Sequence, residues 1–405
     1  MRDVIHTHCC VVGGGPAGAV LALLLARQGI PVVLLEEHQD FDREFRGDTI
    51  HPSVMEIMDE LGLAERLLRL RHTRVSSFTL QTSAGSFLAA DFSRLKTRYP
   101  YIALILQTDF LEFVTSEAGQ YPSFQLVMGA SVQELVREAG VVRGVRYRSR
   151  DGWHELRARL TVGADGRFSR LRHLLGFEPI KTSPPMDVLW FRLPVKPDDP
   201  QGALGRIGNG HMLAVLNRYD YWQLGYVIPK GGYRKLREAG LETLRQTVAE
   251  LAPELADRLA ELNDWKQVSL LSVESSRVPR WYVPGLLLIG DAAHVMSPVG
   301  GVGINYAIQD AVVAANVLSG PLRSGNLSVG HLAAVQRQRE LPTRIIQAFQ
   351  SVIQQGLLAS VLDPSSAPGG FRPPLFLRLP FFRAILARFV AFGVWRVHVK
   401  KSLRA

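Results

Sequence analysis

Val11-Val12-Gly13-Gly14-Gly15-Pro16-Ala17-Gly18 decides how this chain folds. The two valines close an apolar run that reads as a buried strand, and Ala19 to Ala26 is an apolar helical run that follows at once. Between them stands G-x-G-x-x-G, at Gly13, Gly15 and Gly18. Strand, glycine turn and helix in that order form the context of a dinucleotide-binding turn. Gly13 permits the tight turn, Gly15 lets a pyrophosphate approach the backbone, and Gly18 lets helix and strand pack closely. Pro16 and Ala17 open the helix, whose free N–H groups and positive dipole end suit an anion. A second strand, Pro31 to Leu35, ends in Glu36, with Glu37 beside it. An acid about 20 residues beyond such a turn is the expected partner of a ribose hydroxyl. Glu36 is preferred over Glu37 because it directly closes the apolar run. The run Leu21 to Ala26 is not a secretion signal, since acid and histidine precede it and the glycine turn interrupts it.

Two further stretches follow in order. Leu160-Thr161-Val162 leads into Gly163-Ala164-Asp165-Gly166, with Arg167, Ser169 and Arg170 beyond. Alone this is an Asp-Gly turn. Leu286 to Ile289 reads as a buried strand ending in Gly290-Asp291, followed by Pro298 and glycines at 300, 301 and 303. A carboxylate at a strand end can accept from a ribityl hydroxyl, and glycines let backbone approach a ring system. Asn305 to Val317 reads as a helix whose dipole would stabilise negative charge at its N-terminus. The three stretches in this order describe a chain wrapped around one FAD.

The 405 residues suffice for two domains. Hydrophobic residues are 47% and charged residues 21%, which is a globular composition. No apolar run approaches ~18 residues, so no spanning helix is expected. The only cysteines, Cys9 and Cys10, are adjacent in the first strand and read as core residues of a cytosolic protein. The absence of C-x-x-C argues against a disulfide reductase. No H-E-x-x-H motif suggests a metal. The net charge is +10, but no nucleic-acid-binding module is recognisable.

The quoted residues resemble the para-hydroxybenzoate hydroxylase-like family of FAD-dependent monooxygenases over about residues 5 to 330. The resemblance implies an α/β fold: a Rossmann-like FAD-binding domain interleaved with a mixed β-sheet substrate domain, plus a helical C-terminal region. It places the ADP half of FAD on Gly13, Gly15, Gly18 and Glu36. It matches Arg46 in Phe45-Arg46-Gly47 and Gln107 in Leu106-Gln107-Thr108 to cofactor contacts. Asp165 would belong to a stretch supporting both FAD and NAD(P)H, Asp291 would hold the ribityl chain, and Pro298 would shape the wall beside the flavin. Gly301-Val302-Gly303-Ile304-Asn305 stands where many relatives carry G-Q-G-x-N. The sequence shows no second G-x-G-x-x-G, so no separate nicotinamide domain is expected, and the family likewise lacks one. The implied reaction uses NAD(P)H and O2 to hydroxylate an aromatic or other electron-rich substrate through a flavin C4a-hydroperoxide.

The FAD part is expected at 1–75, 101–180 and 270–330, and the substrate part at 76–100 and 181–269. Residues 331–405 form the C-terminal region, with a Pro/Gly/Ser linker at about 363–374. A base that deprotonates a phenol would raise ring electron density. His51, His211 and Tyr221 are candidates, though each reads more readily as a surface or satisfied core residue, and His294 reads as packing near the cofactor. Trp190, Phe191, Tyr221 and Trp222 either line a pocket or fill a core.

The tail holds eight basic residues and no acid after Asp363. Phe382, Ile385, Leu386 and Phe389 recur at helical spacing. Segment 371–405 would rest on the inner face of an anionic membrane, or pack on the enzyme and close its pocket. The packed arrangement is preferred. The membrane arrangement would suit an apolar substrate such as a quinone precursor, polyketide or isoprenoid, and the expected substrate is an aromatic, polyketide or isoprenoid small molecule. Competing functions are a flavin-dependent reductase of isoprenoid double bonds, a halogenase, and a non-catalytic prenyl-binding protein. Trp190-Phe191-Arg192-Leu193-Pro194 matches the halogenase W-x-W-x-I-P stretch only in part, and the intact FAD motifs weigh against a non-catalytic protein.

Overall fold

The strand Ile5–Val12 is the spine of the molecule in this computed structural model, which describes residues 4–42, 49–83, 85–182, 184–199, 202–358, 361 and 380–404. Arg46 lies outside the described residues, as do the linker at 363–374 and the tail arginines 372 and 378. The spine pairs in parallel with Val32–Glu36 on one side and Gly152–Gly163 on the other. Leu286–Leu288 and Phe124–Met128 extend the parallel sheet outward. Hairpin strands Ser131–Glu138 and Val141–Ser149 are attached to it antiparallel. All three motifs therefore leave the same end of one sheet, where ligands bind in open α/β sheets.

Helix Pro16–Ala26 starts with proline at its first turn, where the missing N–H costs nothing. Every residue from Ala17 to Ala26 is buried, as expected of a helix apolar all round. It packs against the long helix Gly303–Ser324. A side chain on Gly18 would meet Gly13 O at 2.0 Å, so close packing of turn and helix demands glycine. Cys9 and Cys10 are fully buried thiols in the same core.

A second sheet of seven strands orders Ser269–Leu271, Met186–Pro194, Tyr221–Pro229, His211–Asn217, Ala203–Gly208, Ser77–Thr82 and Gly85–Asp91. It is mixed, since Ala203–Gly208 runs parallel to Ser77–Thr82 and the other pairs are antiparallel. Alternation assigns its faces. Leu189, Phe191 and Leu193 pack with Leu213, Val215 and Trp222 against the helix Leu241–Leu251. Met186, Val188 and Trp190, with Met212, Ala214 and Leu216, face the other way, into a cavity.

The C-terminal region holds the helices Val329–Ile353 and Pro380–Phe392, and beyond the second the chain continues as a largely irregular tail. The second helix buries Ala387, Ala391 and Phe392 against Val75, Phe92, Ile102 and Leu104. The tail then crosses helix Pro52–Glu60. Glu60 accepts from His398 Nδ1 and Val399 N, both at 2.7 Å, and from Arg404 at 2.8 Å. Arg396 reaches Glu56 at 3.1 Å. Part of the tail's positive charge is thus held by acids of this chain. No helix among the described residues is long and apolar enough to cross a membrane.

Candidate active site

One cavity of about 2290 Å³ runs between the two sheets, from the glycine turn to the C-terminal helix. Ligand pockets for drug-sized molecules typically span ~300–1,000 Å³, so this one has room for two organic partners.

The glycine turn forms its first wall. Gly13 has φ +103°, and a Cβ there would meet Ala164 O at 2.4 Å. Gly15 is the opposite case: a Cβ there would meet nothing within 4 Å, because its open side faces the cavity. That clearance sits at the N-terminus of helix Pro16–Ala26, where unpaired N–H groups attract an anion. Glu36 closes its strand as expected and is nearly buried. Its Oε2 accepts from Gly14 N at 2.8 Å, and its Oε1 accepts from His38 N at 3.0 Å. Glu37 lies on the exposed rim and accepts from Ser131 Oγ at 2.7 Å. Gln107 opens the helix Gln107–Gly119 and lines the cavity.

Asp165 also lines the wall, but its carboxyl accepts from Ser169 Oγ at 2.6 Å and Leu171 N at 2.9 Å. It organises the start of helix Arg170–Leu174, and burial pushes its pKa up. Arg172 ties the second motif to the third, donating to Arg167 O at 2.6 Å and Ala292 O at 3.1 Å. Asp291 lies half-buried in the wall of the cavity.

Beneath Asp291 is a buried cluster that the sequence did not announce. Asp310 Oδ2 accepts from Gly290 N at 3.0 Å and lies 2.6 Å from His294 Nε2. Its Oδ1 accepts from Arg339 Nε at 2.7 Å. Burial alone would raise the Asp310 pKa, but the charges of His294 and Arg339 and their hydrogen bonds outweigh it, and the pKa falls. Trp281 packs on His294, with ring centroids 5.0 Å apart. His294 is thus a packing and bonding residue, as expected.

Pro298, Gly301, Val302, Gly303 and Ile304 line the cavity, the last two at the start of the long helix. Gly301 has φ +64°, and a Cβ there would meet Thr49 Oγ1 at 2.7 Å. Asn305 does not line the cavity. Its Oδ1 accepts from His51 N at 2.9 Å, and its Nδ2 donates to Thr49 O at 2.9 Å and Gly301 O at 3.2 Å. It stitches the glycine loop to the segment before helix Pro52–Glu60.

The three base candidates separate. His51 lines the cavity, fully buried. His211 sits at an odd position of its strand, on the face away from the cavity, with Nδ1 2.6 Å from the Tyr226 hydroxyl. Tyr221 begins its strand outside the cavity lining, with Arg192 over its ring at 4.5 Å. Of the four aromatic candidates, Trp190 lines the cavity, while Phe191 and Trp222 lie in the core behind it. Phe382, Ile385, Leu386 and Phe389 of the last helix also line it, so the apolar stripe faces the enzyme's own pocket.

A phosphate-sized clearance at a helix N-terminus, an acid at the next strand end and a glycine loop at a second helix fit an FAD molecule. The chain matches the family described as FAD binding domain over residues 6–348. It is 37% identical over 410 residues to 6-methylpretetramide 4-monooxygenase from Streptomyces rimosus, covering 99% of this chain and 96% of that one. The chain belongs to the FAD-dependent monooxygenases. Another member, para-nitrophenol 4-monooxygenase from a Pseudomonas species, is 26% identical, with 78% of each chain covered. Among solved structures, OxyS anhydrotetracycline hydroxylase from Streptomyces rimosus superimposes with a TM-score of 0.72. That match is 23% identical and covers 96% of this monooxygenase and 76% of OxyS, which supports the fold. The monooxygenase takes electrons from NAD(P)H and oxygen from O2. Bound FAD supplies the redox and oxygen-transfer chemistry, and the protein supplies position, electrostatics and exclusion of water.

Proposed function

We propose that this monooxygenase hydroxylates a fused-ring phenol of the polyketide class. The size and lining of the cavity carry the reading. Beyond the share an FAD would fill, it continues between apolar walls that include Phe78, Met186, Trp190, Met212, Phe349 and Phe389. Flat polycyclic ligands gain most from such walls, at about 25 cal/mol per Å² of apolar surface buried. Arg218 and Gln223 add polar groups to that lining, and Arg218 Nε donates to Gln223 Oε1 at 2.7 Å. Both line the cavity while almost wholly buried, and they would meet the oxygen-rich edge of a substrate. The name of the 37%-identical relative points to the same substrate class.

The test offers FAD-loaded enzyme and NADPH three phenols: 6-methylpretetramide, 2-hydroxyanthraquinone and para-nitrophenol. The reading expects faster NADPH consumption with a fused-ring phenol and a product one oxygen atom heavier. Turnover of para-nitrophenol alone would overturn the reading. A product that gained two hydrogens instead of oxygen would point to a reductase.

A further inference from the structure

His51 sits at a seam. Its backbone N–H is fixed by Asn305, and two residues earlier Thr49 Oγ1 donates to Gly301 O at 2.8 Å. Its ring Nδ1 lies 2.8 Å from the carbonyl oxygen of Val390, near the end of helix Pro380–Phe392. The last carbonyls of a helix lack partners within it, and His51 supplies one of them. A carbonyl oxygen only accepts, so Nδ1 carries the hydrogen. In a neutral imidazole the other nitrogen then holds a bare lone pair. That nitrogen, Nε2, is buried and has no hydrogen-bond partner among the described residues. The residue lines the cavity at the junction of the glycine loop and the apolar C-terminal wall, with Gly301, Val302, Phe389 and Val390.

We propose that His51 Nε2 accepts a hydrogen bond from a hydroxyl of the bound phenol and so orients its ring for oxygenation. The inference rests on the fused-ring phenol reading. Two observations support it independently. Buried polar atoms are nearly always paired, so an acceptor left over on a cavity-lining residue is a place for a donor. The tautomer is set by the protein's own Val390 carbonyl, so the acceptor is ready before a ligand arrives. Burial lowers the His51 pKa from 6.5 to about 4, and the ring stays neutral near pH 7. The hydroxyl therefore keeps its proton while sharing it with Nε2. Oxygen density on the phenol rises without an imidazolium forming in an apolar wall. His51 is in this sense a substrate-orienting residue, and the same ring holds the helix that closes the substrate end of the cavity.

Two substitutions separate the two nitrogens. His51→Asn places an amide N–H near the position of Nδ1 and nothing at Nε2. His51→Gln places an amide oxygen near Nε2 and loses the bond to Val390. The FAD-loaded wild type and both variants are titrated with 2-hydroxyanthraquinone and 2-methoxyanthraquinone, reading the change in flavin absorption. FAD retention is measured in parallel by ultrafiltration. The wild type should bind the hydroxy compound roughly tenfold to hundredfold more tightly than the methyl ether. His51→Asn should bring that ratio close to one with FAD retained. His51→Gln should keep a substantial part of it. An unchanged ratio in His51→Asn would overturn the inference. Equal loss of the ratio in both variants, together with lost FAD, would assign His51 to holding the cofactor or the helix instead. Equal wild-type affinity for both compounds would sink the inference alone. Failure of the wild type to bind either would sink the fused-ring reading, and the inference with it.

Discussion

Asp310→Asn is the sharpest single test of how the third motif is held. The substitution preserves shape and removes charge. Asp310 is fully buried, and Arg339 beside it is 1% exposed. Losing the carboxylate leaves a guanidinium inside the protein whose remaining partners among the described residues are the Tyr306 ring, 5.1 Å from its Cζ, and the Tyr306 carbonyl at 3.5 Å. Breaking a buried ion pair by removing one partner costs about 3–5 kcal/mol. The amide adds a second conflict. Its NH2 group must face either Arg339 Nε or the Gly290 amide and His294, so a donor confronts a donor, at ~1–3 kcal/mol. Relaxation recovers part of this, leaving a loss of about 4 kcal/mol, a large part of the ~5–15 kcal/mol that stabilises a folded protein. Urea unfolding of the FAD-loaded protein at pH 7 would measure it, with buried Trp281 as a fluorescent reporter against His294. The double substitution Asp310→Leu/Arg339→Met removes both charges and should recover much of the loss, because apolar replacement of a buried pair is often neutral. A cost below about 1 kcal/mol for Asp310→Asn, or a double variant no better than the single one, would refute the reasoning.

Gly13→Ala and Gly15→Ala should fail differently. At Gly13 the positive φ and the clash with Ala164 O predict about 2–4 kcal/mol of destabilisation, seen as a lower melting temperature. At Gly15 the protein should melt almost normally without cofactor yet bind FAD weakly, because the methyl group occupies open cavity; full FAD affinity there would contradict the phosphate-cradle reading. Glu36→Ala should weaken FAD binding, and superimposable flavin titrations of variant and parent would remove the ribose role. Folding should also depend on pH through His51. Its folded pKa is depressed from 6.5 to about 4, so its contribution is full above about 6.5 and is lost as pH falls toward 4. At about 1.4 kcal/mol per unit this amounts to about 3 kcal/mol. His51→Asn should lack that component, and a variant whose acid-unfolding curve parallels the parent's would count against it.

Local chemistry was the legible part of this molecule. The first strand, glycine turn and helix were readable because each constraint acts within a few residues, and Glu36 because it ends an apolar run. Sheet alternation was readable too: it puts Trp190 on one face and Phe191 on the other, although it does not say which face meets the cavity. For that reason the sequence alone could not separate His211, on the far face, from a residue of the cavity wall. What escaped were bonds between distant segments. Arg339 reaches Asp310 from 29 residues away, on a different helix. Its one local signal is an acid inside the apolar run Ile308 to Ala315. Val390 sets the His51 tautomer from 339 residues away, with no trace in either neighbourhood. Asp165 carried a motif's signature, but its carboxyl is engaged by Ser169 and Leu171. The apolar stripe of the last helix was visible too, and the preferred reading, a helix packed on the enzyme to close its pocket, agrees with the cavity lining.

The order of strands in the first sheet bears on how the enzyme acquires its cofactor. Cys9 and Val11 of the spine sit beside Val32 and Leu34 on one flank, but beside Leu160 and Val162 on the other. Thr161 in turn pairs with Leu286. Parallel pairing of segments so far apart must meet loop-closure entropy before any contact rewards it, and such sheets assemble slowly. During synthesis the glycine turn emerges early, but the Ala164 and Gly290 segments that brace it arrive much later. Capture of FAD is therefore a late event in the life of each chain. A cofactor held by the assembled sheet stabilises the folded chain by mass action, so a cell short of flavin should accumulate this protein in incompletely folded, protease-sensitive form.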